Sequence, residues 1–527
     1  MNIKTLLGLC LTPATIFFGE VATAEIRLTA IGRYSTGVFD DSAAEIATFD
    51  PGSNRLFVTN AAENQVDVLD LADPTNPTLA FSIDVDYNIN SVSFYNGVLA
   101  AAVEGESAQD PGTVRFFDGA GNLLNTVMVG ALPDMVTFTP DGMKVLTANE
   151  GEPSEDYTID PEGSVSIIDI SAGVENATVT TAMFTAFNDM AMEKGIRVFG
   201  LGATLAEDVE PEYIAVSADS TMAWVTLQEA NALGVVDLTA GEIVDVVNLG
   251  VKDYSQPSNR LDASNKDDAI NITNYDNLFG LYQPDAIAAY EVNGETYLVT
   301  ANEGDSRLRP TGDDEVEGFE EGDIFNEESR IGRLDLDPTA FPNAEKLQDD
   351  AVLGRLKVTN TMGDTDGDGD FDELYAYGGR SFSIWRSSGD LVFDSGSQFA
   401  DITVALFPEH FNSTNDENGS FDDRSDDKGA EPEGVTVGMI GDRHYAFIGL
   451  ERMGGIMVYD VSDPMAPFFV TYANDRDFKG DAEAGTAGDL GPEGLLFIPA
   501  NDSPNGENLL VVTSEVSGTV TVYSVTE

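Results

Sequence analysis

The sequence has almost no cysteine and almost no histidine. Its 527 residues include one cysteine, Cys10, and two histidines, His410 and His444. Cys10 lies in the N-terminal leader described below, so the mature chain has no disulfide and no thiolate nucleophile. Two histidines are too few for most catalytic zinc sites, which draw mainly on His and Cys. We therefore expect any metal to be a hard cation with oxygen ligands, with Ca²⁺ as the first candidate.

Positive charge is also scarce. The chain has 26 Lys and Arg against 93 Asp and Glu, which gives a formal net charge of -67. Such a negative field repels phosphate backbones and anionic lipid surfaces, so the composition argues against nucleic-acid binding. Hydrophobic residues make up 42% and aromatic residues 9% of the chain, which indicates a folded core and not disorder.

Residues 1–24 have the features of a secretory signal peptide. Lys4 supplies a positive start, residues 6–18 form an apolar stretch, and Ala22-Thr23-Ala24 supplies the small residues of a cleavage site. The apolar stretch is too short to span a bilayer. A buried N-terminal helix is the alternative. We expect a monomer that is exported in soluble form, extracellular, periplasmic or loosely surface-associated, and not integral to the membrane.

A pattern of short apolar runs recurs seven times along the chain. Each copy begins with an acidic or polar residue, often after Pro, before an alternation of apolar and polar residues. A second run ends near a Glu, and a third ends in Asp or another polar residue. The copies begin at Glu45, Ser91, Asp134, Glu212, Asp285, Glu433 and Glu493, and their second runs end near Glu63, Glu104, Glu150, Glu229, Glu303, Glu451 and Glu515.

With a weaker fourth run after most copies, this pattern predicts an all-β fold, a seven-bladed β-propeller over residues 25–527. A pair of β-sandwiches is the alternative architecture. The largest interruption, residues 304–373, is predicted to lie between the second and third strands of the fifth blade. Residues 182–210, 251–279 and 408–431 form further long loops, and loops of this length are often functional.

In a propeller the repeated acids face one channel, where a ring of carboxylates is unfavourable unless cations neutralise it. The sequence therefore predicts a divalent-metal site at the channel mouth. The alternative is that these acids cap strand ends through backbone N–H groups. The predicted metal ligands are Glu150, Glu303, Asp305, Glu433 and Glu493.

Three of the rare arginines lie at comparable places in the repeats: Arg307, Arg380 and Arg452. Guanidinium groups beside bound cations suit an anionic small-molecule substrate such as a phosphate ester, and we predict a catalytic role for these three. The alternative is that each pairs with a neighbouring acid.

The run from Asp364 to Asp372 alternates acids with small residues, which matches the first half of an EF-hand-type loop. The twelfth position is Tyr375 and flanking helices are not predicted, so the run resembles a dockerin or thrombospondin loop. We predict Ca²⁺ binding here, within the 304–373 insertion. The predicted ligands are Asp364, Asp366, Asp368, Asp370 and Asp372.

Several longer motifs resemble the choice-of-anchor I family. They are the runs 148–154 and 160–165, Thr300 to Asp305, 379–385 and 432–435. The resemblance implies an exported seven-bladed propeller, similar to proteins labelled alkaline phosphatase-like and to animal mesenchyme-specific cell-surface glycoproteins.

Two functions follow from these observations. The first is a calcium-dependent phosphoesterase, a hydrolase in which Ca²⁺ and a second metal of unassigned identity bridge channel carboxylates. The second is a non-catalytic cell-surface or matrix protein with structural calcium and a cell-surface partner. A calcium lactonase is a minor third.

Overall fold

The computed structural model describes residues 26–309 and 324–527. The predicted leader, residues 1–24, and part of the predicted insertion lie outside the described residues. Within the described residues, seven four-stranded antiparallel sheets form the blades of a ring. The innermost strand of each blade contacts that of the next, and the innermost strands of the first and last blades also meet. The seven-bladed propeller is confirmed, and this closed ring excludes a pair of sandwiches.

The strands of the blades follow chain order except where the accessory strands interrupt it. The described chain begins with β1 (Arg27–Ser35), the outer strand of blade 7. Blade 1 contains β2 (Ala47–Asp50), β3 (Arg55–Asn60), β4 (Gln65–Asp70) and β5 (Thr78–Asp84). Blade 2 contains β6 (Ile89–Tyr95), β7 (Val98–Val103), β8 (Pro111–Asp118) and β9 (Leu123–Ala131). Blade 3 contains β10 (Pro133–Phe138), β11 (Lys144–Asn149), β12 (Ser164–Asp169) and β13 (Thr178–Met183). Blade 4 contains β14 (Pro211–Val216), β15 (Met222–Leu227), β16 (Ala232–Asp237) and β17 (Glu242–Asn248).

Accessory strands lie between blades 4 and 5 and between the second and third strands of blade 5. Those strands are β18 (Val251–Asp253), β19 (Leu278–Leu281), β22 (Leu308–Arg309), β23 (Phe325–Asn326), β24 (Glu328–Arg330), β25 (Lys357–Thr359) and β26 (Leu374–Ala376). Blade 5 is β20 (Ile287–Val292), β21 (Glu295–Asn302), β27 (Ser381–Arg386), β28 (Leu391–Asp394), and blade 6 is β29 (Pro432–Ile440), β30 (Arg443–Leu450), β31 (Ile456–Asp460), β32 (Phe468–Ala473). Blade 7 is β33 (Pro492–Ile498), β34 (Asn508–Ser514), β35 (Thr519–Thr526) and β1.

Helices are few and short. The α-helices are α1 (Ala191–Lys194), α2 (Leu205–Asp208), α3 (Ala344–Leu347) and α4 (Gln398–Leu406), and the 3₁₀ turns are Ala61–Glu63, Val174–Asn176, Thr185–Met190 and Ile331–Arg333. Among the described residues, no helix is both long and apolar enough to cross a membrane.

The first and last described strands close the ring. β1 pairs antiparallel with β35 from Arg27↔Thr526 to Ser35↔Thr519. Blade 7 is thereby assembled from both ends of the described chain. This pairing leaves no open seam between blades 7 and 1, and an open seam would be a site for edge-to-edge aggregation.

The repeated Pro-acid element forms a β-bulge at the start of four inner strands. The ladder register shifts between Pro133 and Val136, and the same shift occurs at the corresponding positions of β14, β29 and β33. A bulge leaves one residue unpaired and re-aims its side chain. The acid after each Pro is therefore released from the ladder, which explains why the same element places a carboxylate in the channel from each of these blades.

Buried side chains on the second strands hold this edge of the blades together. Asn149 donates to the hydroxyls of Ser164 and Ser166 on the third strand, and Asn302 does the same with Ser381 and Ser383. Both Asn side chains are fully buried. In each of these Asn-Glu pairs, the Asn is thus a structural residue that joins the second and third strands of its own blade, and the adjacent Glu faces the channel.

The two insertions form one accessory sheet in the order β18-β19-β26-β25-β24. β19 and β26 pair in parallel, and they come from opposite sides of the second strand of blade 5. The accessory sheet packs on its own apolar core, which includes Tyr254, Leu278, Leu356 and Val358. The described parts of the segments 251–279 and 304–373, which were predicted as separate loops, therefore fold together beside the channel.

Gly434 allows two neighbouring inner strands to approach closely beside the channel. A Cβ on Gly434 would overlap the carbonyl oxygen of Glu493 on β33 and would crowd Leu495. We expect Gly434→Ala to lower the free energy of unfolding by about 1–3 kcal/mol, because a well-packed contact would have to open. Chemical denaturation monitored by circular dichroism would measure the change.

Gly119→Ala is the matched control, because a Cβ there meets only the Asp50 carboxylate at ordinary contact distance. Equal midpoints for the two variants would show that the blades do not depend on this close approach.

Candidate metal centre in the axial channel

Two adjoining cavities occupy the channel. The first, which we call the carboxylate cavity, has a volume of about 230 Å³, and the second, the mixed cavity, has about 280 Å³. Glu303, Asp305 and Glu433 line both cavities. These shared side chains make the two cavities electrostatically one site.

The carboxylate cavity is lined by eight acidic side chains, and no Lys, Arg or His of the described residues is among its walls. Most of the acids begin an inner strand or end a second strand, as the repeats predicted. They come from blades 3 to 7, so the ring itself brings them together. The eight are Asp134, Glu150, Glu212, Asp285, Glu303, Asp305, Glu433 and Glu493.

All five residues predicted as channel ligands lie in this lining. Glu45, Glu493 and Glu515 also have carboxylate oxygens within 4.8 Å of one another, which extends the acidic wall to blade 1. Glu63 differs, because it lies in an exposed 3₁₀ turn and does not reach the channel.

Burial and mutual repulsion raise the pKa values of the channel carboxyls. Desolvation is the largest cause, and neighbouring carboxylates add to it. The pKa of Glu45 is raised to about 8 and that of Asp134 to about 7. The pKa values of Glu150, Glu212, Glu229, Asp285, Glu433 and Glu493 are all raised well above their ordinary range. Without a cation, many of these groups hold a proton at neutral pH.

Several buried carboxylate oxygens accept no hydrogen bond from the described residues. These include Oε2 of Glu212, Glu433 and Glu493. A buried oxygen without a partner is costly, and a cation with oxygen ligands would satisfy it. Both histidines lie elsewhere, with His410 stacked on Phe478 and His444 against Tyr290. The donor set therefore fits a hard divalent cation and not zinc.

The mixed cavity contains six basic side chains, out of only 26 Lys and Arg in the whole chain. Arg452 lies 3.2 Å from carboxylate oxygens of both Glu431 and Glu451. The ammonium of Lys428 lies 2.7 Å from Oε1 of Glu303. The accessory strands, the loop 408–431 and blade 6 supply the six, which are Arg307, Arg309, Lys357, Arg424, Lys428 and Arg452.

Arg307 lines the mixed cavity but is held deep in its wall. It pairs with Asp208 and, at 2.7 Å, with Glu210, and its guanidinium lies 4.5 Å from the ring centre of Phe199. Arg197 covers Phe199 at 3.7 Å. These contacts join the segment before β14 to the accessory strands. They match the alternative interpretation of Arg307, in which the arginine pairs with a neighbouring acid.

Arg380 lies apart from the other two predicted arginines. It lines a separate cavity of about 20 Å³ that neither Arg307 nor Arg452 reaches. Its guanidinium donates to the backbone carbonyls of Asp262, Ser425 and Asp427. Those contacts join an accessory segment to the loop 408–431, so this geometry assigns Arg380 to holding the wall and not to binding a substrate in the channel.

Sequence reasoning missed Lys428 and Glu431. Glu431 is completely buried and contacts Arg424, Lys428 and Arg452. Both residues lie just before the repeated Pro432-Glu433 element, and this position could have pointed to them. Only the whole loop 408–431 was predicted from the sequence to be functional, and no single residue in it was named.

The predicted calcium loop forms two overlapping acidic clusters. Carboxylate oxygens of Asp364, Asp366 and Asp372 lie within 4.8 Å of one another, and so do those of Asp337, Asp370 and Asp372. Asp368 belongs to neither cluster. Asp337 was not anticipated, because it comes from an earlier turn of the insertion.

The family model described as the choice-of-anchor I domain matches residues 45–464. Gigasin-3a of Magallana gigas is 34% identical over 190 residues, which cover 34% of this chain and 66% of that protein. Mesenchyme-specific cell surface glycoprotein of Strongylocentrotus purpuratus is 28% identical over 282 residues, 49% of this chain and 36% of that protein. The chain thus spans just under two thirds of the first relative's length and about a third of the second's.

Similar solved structures have low sequence identity. Kuenenia stuttgartiensis hydrazine synthase has a TM-score of 0.46 at 12% identity, over 93% of this chain and 99% of that one. The Cps50 (Swd1) β-propeller domain of Myceliophteria thermophila has a TM-score of 0.43 at 10% identity, over 95% and 100%. The fold assignment rests on the seven sheets themselves.

We expect the metal-free protein to lose stability as the pH rises from about 4.5 to 8. The pKa of Glu451, like that of Glu45, is about 8 in the folded protein, against about 4.3 in an unfolded chain. Over this interval the folded state keeps protons that the unfolded state has released, so stability falls with rising pH. Denaturant midpoints measured in chelator at pH 5.5 and pH 8 would test this.

The global charge of the chain also changes with pH, so a local control is needed. In chelator at pH 8, Glu433→Gln should raise the free energy of unfolding by about 1–3 kcal/mol, because it removes a carboxyl group that the folded state must either protonate or bury as a charge. Glu242→Gln, at an exposed position, should change it little. A midpoint that rises with pH, or equal effects of the two variants, would contradict the account.

Proposed function

This chain belongs to the choice-of-anchor I family, and from that premise we propose an extracellular or cell-surface propeller whose axial channel binds Ca²⁺ and hydrolyses phosphate esters. The relative named as a cell surface glycoprotein supports the location. The signal-like residues 1–24 support it as well.

The observation that carries the proposal is the contact between two unlike cavities. One has a wall with eight carboxylates and no described basic side chain, which suits divalent cations, and the other, which shares Glu303, Asp305 and Glu433 with it, holds six basic side chains. A phosphate ester needs both kinds of partner, because its charge is neutralised by cations and its oxygens are oriented by hydrogen-bond donors.

Each part of the site has a distinct role in this proposal. Glu433 and Glu493, with their unpartnered oxygens, would hold a divalent cation, which supplies Lewis-acid polarisation and a more acidic bound water. Arg452 and Lys428 would orient the phosphoryl oxygens from the opposite wall. Arg307 would keep that wall in position through Asp208 and Glu210.

Hydrolysis of a chromogenic phosphate monoester and diester at alkaline pH tests the proposal. We expect turnover with Ca²⁺, loss of turnover in chelator, and a decrease of about 10²–10³-fold in kcat for Arg452→Ala, since one oriented donor is worth that much. Glu433→Gln should raise the Ca²⁺ concentration needed for activity.

Arg386→Ala and Glu242→Gln are the matched controls. Arg386 forms a solvent-exposed pair with Glu295 at 3.1 Å, and it pairs with β21 at the end of that strand away from Glu303. Both variants should retain full activity. Absence of turnover in a folded, Ca²⁺-loaded sample, with added iron as well, would overturn the catalytic part of the proposal.

A non-catalytic surface protein is the second candidate. It is favoured because basic side chains of the mixed cavity already pair with carboxylates of the protein. Arg307 already lies between two carboxylates, and Arg452 and Lys428 each contact Glu431. In this case the channel cations would be structural, and the outer surface of the propeller would bind a cell-surface partner.

The acidic loop gives a separate test of calcium binding. Asp372 belongs to both clusters, so Asp372→Asn should abolish Ca²⁺-dependent protection of the accessory sheet against hydrogen exchange. Asp390→Asn, in a turn of blade 5, is the control. Unchanged protection in the Asp372 variant would show that the loop does not hold Ca²⁺.

A further inference from the structure

The ammonium group of Lys428 lies in a pocket made of oxygen atoms. Its Nζ is 2.7 Å from Oε1 of Glu303, 3.2 Å from Oε2 of Glu431 and 2.6 Å from the carbonyl oxygen of Gly304. The lysine side chain is only 11% exposed. The surroundings of this nitrogen therefore resemble the coordination shell of a bound cation more than a surface ion pair.

The carboxylates around it also have the spacing of metal ligands. Oxygens of Glu303, Glu431 and Glu451 all lie within 4.8 Å of one another. Of these side chains, Glu431 is fully buried and Glu451 is 7% exposed. Three carboxylates so close together need positive charge, and the protein supplies it. Lys428 contacts Glu303 and Glu431, and Arg452 contacts Glu431 and Glu451.

The charge state of the lysine is secured by the same groups. Its Nζ lies within ion-pair distance of carboxylate oxygens of both Glu303 and Glu431, and opposite charges so close favour the charged ammonium. The ammonium thus remains positively charged, and a metal must compete with a tethered cation at this position.

We propose that Glu303, Glu431 and Glu451 form a latent divalent-cation site, and that the ammonium of Lys428 occupies it as a built-in counter-ion. Within the channel, divalent cations are thereby restricted to the carboxylate cavity, whose described walls carry no basic side chain. The inference does not depend on phosphoesterase activity or on metal binding in the carboxylate cavity.

Geometry explains why a lysine is effective here. Glu303 lines both cavities, so a divalent cation on each side would place two double charges against one shared carboxylate. An ammonium contributes a single charge and forms directed hydrogen bonds, including one to the Gly304 carbonyl. The result is one position for metal and one for the protein's own cation.

Equilibrium dialysis of the full chain against Ca²⁺ alone, with metal content measured by mass spectrometry, tests this inference. The buffer should contain enough KCl to suppress loose binding to the acidic surface. Lys428→Ala should bind one more Ca²⁺ per chain than the wild type, because it removes the competing charge and leaves space for an ion with its water.

Lys357→Ala is the matched control. Lys357 lines the same mixed cavity and pairs with Glu328 and Asp427, but those two acids belong to no three-carboxylate cluster among the described residues. Its stoichiometry should equal that of the wild type. Lys428→Gln provides a second variant if Lys428→Ala does not fold, as judged by circular dichroism, and it should gain the same ion.

The outcomes separate the two proposals. A wild type that binds no Ca²⁺ in the channel, with one ion gained in the Lys428 variants, would support this inference and overturn the proposed function. A wild type that binds Ca²⁺, with no ion gained in folded Lys428 variants, would overturn this inference alone. An equal gain in Lys357→Ala would also overturn it.

Discussion

Repulsion between carboxylates in the axial channel is the constraint on which the rest of this structure depends. Ring closure forces the repeated acids of successive blades into one narrow space, and eight of them line a single cavity of about 230 Å³. At the low dielectric of a protein interior, such an arrangement persists only with protons or cations. The scarce basic residues are distributed accordingly, since six of the 26 lie in the adjoining cavity.

The accessory sheet makes that distribution possible. Of the six basic side chains of the mixed cavity, only Arg452 comes from a blade, where it follows the second strand of blade 6. The accessory strands bring Arg309 and Lys357 to the cavity, and the loop 408–431, which pairs with Lys357 through Asp427, brings Arg424 and Lys428. Arg380 joins the same loop to Asp262 of the segment 251–279. The insertions and this loop are therefore the main structural source of positive charge beside the channel.

The sequence was sufficient to predict the propeller because its information is local. Apolar alternation recurs in all seven copies, a Pro-acid start in five and an Asn-Glu end in two, so blade number and the facing of Glu150, Glu303 and Glu433 follow from periodicity and ring closure. Even there, Glu63 shows the limit, because a 3₁₀ turn moves it to the surface while its place in the pattern stays the same.

The wall of the mixed cavity could not be predicted in this way. β19 and β26 are separated by the first two strands of blade 5 and the insertion, and no repeat specifies their parallel pairing. Arg380 lies at a place in its repeat comparable to those of Arg307 and Arg452, yet long-range packing directs it to backbone carbonyls. Lys428 and Glu431 lie outside the repeat, so only the assembled fold shows their contact.

Both candidate functions depend on Glu303, which belongs to both cavities and accepts hydrogen bonds from Gln228 at 2.9 Å and Lys428 at 2.7 Å. A cation held on the carboxylate side would withdraw negative charge from Glu303 and weaken its hold on the ammonium. The mixed cavity would then become more positive, although no residue in it had moved. Cation binding and anion binding in this channel would therefore be linked by one shared carboxylate, and by reciprocity an anion in the mixed cavity would strengthen the cation site.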